Sequence, residues 1–159
     1  MSVYKIVSVT DYYQLWSLFL EYHKEVSKYS NEMPLPEKND FLFFWQEKNK
    51  WSYFLKYNDR PVGFVLLQKV PESNNNILEL GAIYVRKNNR GFHSLKLYKK
   101  ALWCANQNQA ILSSEIALNN KHSLNIYKLL KKKYSQTTQI VFQEKKLENK
   151  RLLVSCYTP

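Results

Sequence analysis

The sequence predicts one α/β domain of the α+β kind, built on a mixed, mostly antiparallel sheet of about seven strands flanked by about four helices. Three observations lead there. Seven short runs rich in β-branched and aromatic residues are bounded by polar turns, and four stretches carry apolar residues at helical spacing. One strand–helix–strand passage is long enough to pair its strands in parallel. A chain of 159 residues, 45% apolar and 15% aromatic, suffices for a single core, so one domain over 1–159 is expected.

Residues 3 to 9 roughly alternate and read as the first strand. Thr10 is the expected cap of a helix from Asp11 to about Lys28, whose apolar face is Tyr12, Leu15, Trp16, Phe19, Leu20, His23 and Val26. Residues 30 to 40 read as a loop from their prolines, and Phe41 to Lys48 as a short second helix. The runs 51–57 and 62–70 around the turn Asn58-Asp-Arg-Pro61 make an antiparallel hairpin. After a turn at 71–76, Ile77 to Val85 is too apolar for an exposed edge and reads as a central strand. A third helix places Leu95, Tyr98, Ala101, Leu102 and Ala105 on one face, with Lys96, Lys99 and Lys100 on the other. Residues 110–118 return as a strand. Asn119 or Asn120 then caps a fourth helix with Ser123, Ile126, Tyr127 and Leu130 on one side, and 139–145 and 150–157 close the chain as a hairpin.

Composition excludes several classes. The longest apolar runs, Phe41 to Trp45 and Phe64 to Leu67, fall far short of the roughly 20 residues of a membrane-spanning helix. The start of the chain has no signal-peptide pattern, so no membrane partner is expected and the compartment expected is the cytoplasm. Cys104 and Cys156 lie in apolar surroundings without metal-ligand spacing, which reads as two buried reduced thiols, and no metal constellation is present. His23 reads as a packed helix residue and His122 as an exposed one beside a cap. The net charge of +11 fits an anionic partner and fits a solvated lysine-rich surface equally well.

The bend between the central strand and the third helix, Arg86-Lys-Asn-Asn-Arg-Gly-Phe-His93, offers free backbone N–H groups and a positive helix end to a phosphate. Arg86, Lys87 and Arg90 are expected to add charge there. Neither GxxxxGK[ST] nor GxGxxG is present, which argues against a P-loop NTPase and a Rossmann domain.

The order of elements from Tyr4 to about Phe142 resembles the GNAT superfamily of acyl-CoA N-acyltransferases, and three places carry the likeness. "YFLKYNDRPVGFVLL" is similar to that fold's early hairpin. "LELGAIYVRKNNRGFHS" is similar to its central strand and R/Q-x-x-G-x-G/A loop, with Gly91 matching, Asn88 at the Arg/Gln place and His93 at the final Gly/Ala place. "LNNKHSLNIYKLLKKKY" resembles N-x-x-A-x-x-L-Y-x-K-x-G-F, with Asn120, Ser123, Ile126 and Tyr127 at the Asn, Ala, Leu and Tyr positions.

The resemblance implies transfer of an acetyl group from acetyl-CoA to a primary amine, on a small molecule or a protein, by direct attack in a ternary complex. It implies that the backbone of Ile83, Tyr84 and Val85 holds the pantetheine arm. Asn88, Asn89, Arg90, Gly91, Phe92 and His93 would form the pyrophosphate loop, and Asn120 and Ser123 would stand beside the coenzyme. Tyr127 is implied as the acid for the leaving thiolate and Glu79 as the base. Each has a plainer reading: a core tyrosine with a bonded hydroxyl, and a carboxylate facing solvent or a structural lysine. His93 either swings out toward a phosphate or obstructs the loop. Asp40, Glu47 and the aromatics 41–45 fall where the family forms its acceptor pocket. Two other readings stand beside the enzyme: a binding module for RNA or protein with a decayed loop, and an acetyltransferase whose amine is borne by RNA or the ribosome. Nucleic acid as a partner and a homodimer are both left open.

Overall fold

The computed structural model describes residues 3–29, 34–71, 76–137 and 140–158. Strands β1 (Tyr4–Ser8), β2 (Lys50–Tyr57), β3 (Arg60–Lys69), β4 (Ile77–Val85), β5 (Ile111–Ala117), β6 (Val141–Leu147) and β7 (Arg151–Tyr157) form one sheet in the order β1-β2-β3-β4-β5-β7-β6. Every neighbouring pair is antiparallel except β4 and β5. Helices α1 (Tyr12–Val26), α2 (Lys38–Phe44), α3 (Ser94–Gln107) and α4 (Lys121–Thr137) complete the fold. The expected sheet with its central fourth strand is therefore present. Within the expected loops and last hairpin, residues 30–33, 72–75 and Gln139 lie outside the described residues.

Local chemistry sets the element ends. Asp11, not Thr10, caps α1: its carboxylate accepts from the N–H groups of Tyr13 and Gln14, both at 3.1 Å, a reach that the residue one step earlier lacks. Helix α2 begins at Lys38, three residues before the expected Phe41, because the extended Glu37 turns the chain and its carbonyl takes the Phe41 N–H. Asn58 and Asp59 link β2 to β3 with φ of 47° and 66°, the two-residue geometry whose twist matches that of its flanking strands. At the head of α4, Asn120 accepts from Ser123 N–H at 3.2 Å.

The sheet buries both faces of its first half. On one side α3 covers Leu55, Val65, Leu67, Leu78, Leu80 and Val85; on the other, α1 and α2 cover Phe54, Phe64, Leu66 and Ala82. Leu78 and Leu80 thus face α3 while Ala82 and Tyr84 face α1, which a regular strand with period two cannot do. The register shows how: Leu66 pairs with Ala82 and Leu67 with Leu80, leaving Gly81 as the extra residue of a β-bulge. The bulge changes the phase of β4 midway along its length.

Gly63, paired with Val85, is required for space. A Cβ there would sit 2.5 Å from the Tyr84 carbonyl oxygen, a backbone atom with no room to yield inside the sheet. Gly63→Ala is expected to cost about 2 kcal/mol through overpacking, lowering Tm by about 4–8 °C in a thermal melt for a chain of this size. Cys104 and Cys156 are buried and unbonded to each other, and burial pushes the Cys156 thiol up to about 12. Among the described residues no helix is long and apolar enough to cross a membrane.

Candidate functional site

The one parallel pair of strands separates early. β4 and β5 are in register only from Ile77 to Glu79 against Ile111 to Ser113. Beyond that point β5 follows β7, to which it is paired through Ala117, and β4 follows β3 as far as Val85. A parallel sheet normally continues its ladder, so the parting leaves main-chain groups of β4 turned to a wedge and not to a strand. The wedge is a cleft of about 500 Å³ walled by Glu79 to Val85 and Ser113 to Ala117. Tyr22, Glu25 and Tyr29 from the α1 side and Asn120, His122 and Ser123 from the α4 side close its far end. Asn119 Nδ2 donates to the Tyr29 carbonyl at 3.4 Å, so the two sides touch across it.

At the mouth of the wedge lies the start of α3. A 3-10 turn over Lys87–Asn89 and then Gly91, at φ +121°, reverse the chain from β4 into the helix. Among the described residues the N–H groups of Gly91, Phe92 and His93 donate to no backbone carbonyl. Ser94, the first residue of α3, is 4% exposed and lines the cleft, and its Oγ is buried without a hydrogen-bond partner. A buried hydroxyl left unpaired is costly, and beside three open N–H groups at a positive helix end it marks a place for an anion's oxygen atoms.

The loop's other side chains turn outward or toward β1. Phe92 is 88% exposed and Asn88 is exposed. Asn89 Nδ2 donates to the Tyr4 hydroxyl at 3.1 Å, and the His93 ring stacks on the Tyr4 ring at 3.6 Å between centroids and 12° between planes. His93 therefore neither points at the cleft nor fills the loop. Burial, and then the Lys96 ammonium, hold its imidazole below the usual histidine range, so it stacks as the neutral ring.

The loop's arginines are engaged elsewhere, contrary to the expectation that they add charge for a phosphate. Arg86 forms two bonds to Glu21 of α1, at 2.7 and 3.0 Å. Arg90 donates through Nη2 to both carboxylate oxygens of Glu25, at 2.6 and 2.8 Å, and through Nε to the Val85 carbonyl at 2.7 Å. The planar guanidinium fork satisfies both partners and fastens α1 to the end of β4. The Arg86 hydrogen bond, against a smaller opposing effect of burial, holds the Glu21 carboxyl below its ordinary value of 4.5. A carboxylate depressed in the folded state adds stability above its unfolded pKa and loses it as pH falls through the folded value. Tm is therefore expected to decline as pH drops below about 4.5, and Glu21→Gln to flatten part of that decline in melts recorded from pH 6 to 3.

Of the other expected site residues, Glu79, Ile83, Tyr84, Val85, Arg90, Asn120 and Ser123 all line the cleft. Tyr127 is held away from it. Its ring is buried against Ile116 and Val154, and its hydroxyl donates to Glu144 Oε1 of β6 at 2.9 Å, an oxygen shared with Lys131 at 3.0 Å. Burial and that bond raise its phenol well above the usual range. Ser94, Glu25 and Tyr98 also line the cleft and were not expected there; for Ser94 the available signal was its place one step past the loop. Asp40 and Glu47 are exposed, and Phe41 and Trp45 belong to the core.

The family described as Acetyltransferase (GNAT) family matches residues 12–130. Comparison with curated proteins yields no significant match. Among solved structures the chain is similar to yncA from Salmonella typhimurium, determined with its cofactor acetyl-CoA, at a TM-score of 0.70 and 10% identity over 98% of this chain and 93% of that one. It is also similar to an acetyltransferase from Streptococcus agalactiae, at a TM-score of 0.68 and 11% identity over 96% of each chain. The ribosomal-protein-S18-alanine N-acetyltransferase from Escherichia coli gives 0.61 and 15% identity, over 97% and 92%. At these identities the likeness is one of fold.

Proposed function

The chain belongs to the GNAT acetyltransferase family, and from that premise we propose that it transfers an acetyl group from acetyl-CoA to a primary amine by direct attack within the β4–β5 wedge. One observation carries the reading: the unpartnered Ser94 hydroxyl and the open N–H groups of residues 91–93 meet at the mouth of a cleft along which β4, beyond Glu79, has no partner on its β5 side. These residues fit the coenzyme. Ser94 and the loop amides would hold its pyrophosphate, and the free edge of β4 over Ile83 to Val85 would hold its pantetheine arm. When bound there, acetyl-CoA supplies an acyl thioester.

The chain's part is to orient the amine and accept its proton. Glu25 and Glu115, two other carboxylates of the cleft wall, each hold an arginine, Arg90 and Arg151. Among the described residues Glu79 holds none, and its neighbours across the strands, Gln68 and Ser113, are uncharged. A carboxylate without a resident cation at the apex of the wedge can take the proton of the attacking amine as its nitrogen bonds to the thioester carbon and the C–S bond breaks, the thiolate leaving group being protonated by water. With its hydroxyl committed to Glu144, Tyr127 is given no part in proton transfer.

The alternative of a binding module with a decayed loop rested on the basic runs at 131–133, 145–146 and 150–151 and, for the decay of the loop, on Asn88 and His93. Their side chains lie outside the loop's mouth, one exposed and the other on Tyr4, which favours the enzyme. The test is a thermal melt with acetyl-CoA. A saturating ligand at 100 times its Kd stabilises by about 2.7 kcal/mol, which corresponds to a rise of about 5–11 °C; no rise at millimolar acetyl-CoA refutes the proposal.

A further inference from the structure

Helices α3 and α4 together contain eight lysines and no aspartate or glutamate: Lys96, Lys99 and Lys100 on the first, and Lys121, Lys128 and Lys131 to Lys133 on the second. The chain's whole excess of positive charge is +11, so most of it is concentrated on two helices that pack side by side. The concentration is also unfavourable within the fold. Lys133 stands close enough to Lys99 to hold its ammonium below the usual lysine range, with Lys96 adding to the effect. Eight lysines and no carboxylate on two helices packed side by side make one positively charged face, which suits an anionic partner.

A second observation lies beside them. Between α3, the end of α4 and the end of β7 runs a groove of about 450 Å³, separate from the β4–β5 wedge and lined by Lys99, Trp103, Asn106, Gln109 and Tyr134. Trp103 is 50% exposed, and the Lys100 ammonium sits 3.8 Å from its ring centroid. An indole held at the surface beside cations offers a face for stacking, while its amide neighbours offer hydrogen bonds.

From this groove and its charge we infer that the α3–α4 face binds single-stranded nucleic acid, with a base stacked on Trp103 and backbone phosphates on Lys99, Lys100 and Lys133. Alternating cations and an exposed aromatic ring suit a polymer that alternates phosphates and unstacked bases. Duplex bases are already stacked, and an acidic peptide would use the lysines but leave the indole unoccupied. The site is independent of acetyl transfer: Trp103 lies nine residues along α3 from Ser94, roughly 14 Å at the helical rise.

The experiment is fluorescence anisotropy of labelled 12-residue oligo(U) RNA and oligo(dT) DNA, titrated with the full chain at 25 to 200 mM salt. Binding of either polymer is expected, with a slope of log affinity against log salt of about −2, as three neutralised phosphates give. Trp103→Ala is expected to weaken it about tenfold without changing the slope, and Trp103→Phe to retain most of it. Lys99→Gln with Lys133→Gln should reduce the slope's magnitude by about 1.4. The Trp103 variants should keep the wild-type Tm, the double lysine variant should keep or slightly raise it as the Lys99–Lys133 repulsion is removed, and all should keep the rise with acetyl-CoA, so failure here and failure of the acetyltransferase reading are distinct results. The inference is overturned if neither polymer binds at 25 mM salt, if the substitutions leave binding unchanged, or if polyglutamate competes as well as oligonucleotide while Trp103→Ala has no effect.

Discussion

Glu79→Gln is expected to lower kcat for amine acetylation by about 10²- to 10³-fold, within the usual contribution of a general base. The substitution keeps the shape and hydrogen-bonding capacity of the side chain and removes only its ability to take a proton. Glu79 belongs to the last pair of residues in register before β4 and β5 separate, so its position is fixed by the ladder below it while its side chain lines the wedge above. The groups proposed to hold the phosphates lie beyond the far end of the same strand. The rise in Tm with acetyl-CoA should therefore survive in Glu79→Gln, and the loss should fall on turnover. Tyr127→Phe is the contrast: with its hydroxyl bonded to Glu144, it should keep kcat within about threefold and lose about 1 kcal/mol of stability, the net worth of one hydrogen bond. The reverse pattern, a normal Glu79→Gln enzyme and a Tyr127→Phe enzyme depleted in kcat, would show that Tyr127 exchanges Glu144 for the substrate and that the base lies elsewhere.

What the sequence conveyed about this site depended on whether the signal was local. The Asn58–Asp59 hairpin, the buried β4 and the Asn120 cap are written in neighbouring residues, since turn chemistry, apolar runs and cap geometry act over a few positions. The loop with Gly91 was legible for the same reason. The partners of its arginines were not, because Glu21 and Glu25 lie 65 residues earlier and meet Arg86 and Arg90 only once α1 packs beside β4. The bulge at Gly81 escaped because a run such as Leu-Glu-Leu-Gly-Ala-Ile-Tyr-Val reads as one buried strand whatever its phase, and only the pairing with β3 shows the change of face. Tyr127 illustrates the remaining limit: helical spacing put it on the apolar side of α4, and the side chain found its partner on β6, whose place against α4 spacing alone does not convey. For His93 the sequence left two readings, swinging out toward a phosphate or obstructing the loop, because its direction depends on a ring of β1.

Gly91→Val is expected to weaken acetyl-CoA binding by about 100-fold while lowering Tm only slightly. Space is not the reason for the glycine, because a Cβ at Gly91 would meet nothing within 4 Å. Conformation is: φ of +121° lies where side-chain-bearing residues are strained, and a β-branched one most of all. A residue held there costs about 1–3 kcal/mol, and an exposed loop escapes that cost by rotating its peptide groups. Rotation would redirect the N–H groups of residues 91–93, which have no backbone acceptor to hold them in place, and would move the buried Ser94 hydroxyl with them. The anion site would be lost while the sheet remained intact. Gly63→Ala should do the opposite, since its clash is with the backbone of β4 inside the sheet: Tm falls, and the rise on adding acetyl-CoA is retained. Calorimetric titration of both variants separates the two roles, and unchanged coenzyme affinity in Gly91→Val would remove the loop from the site.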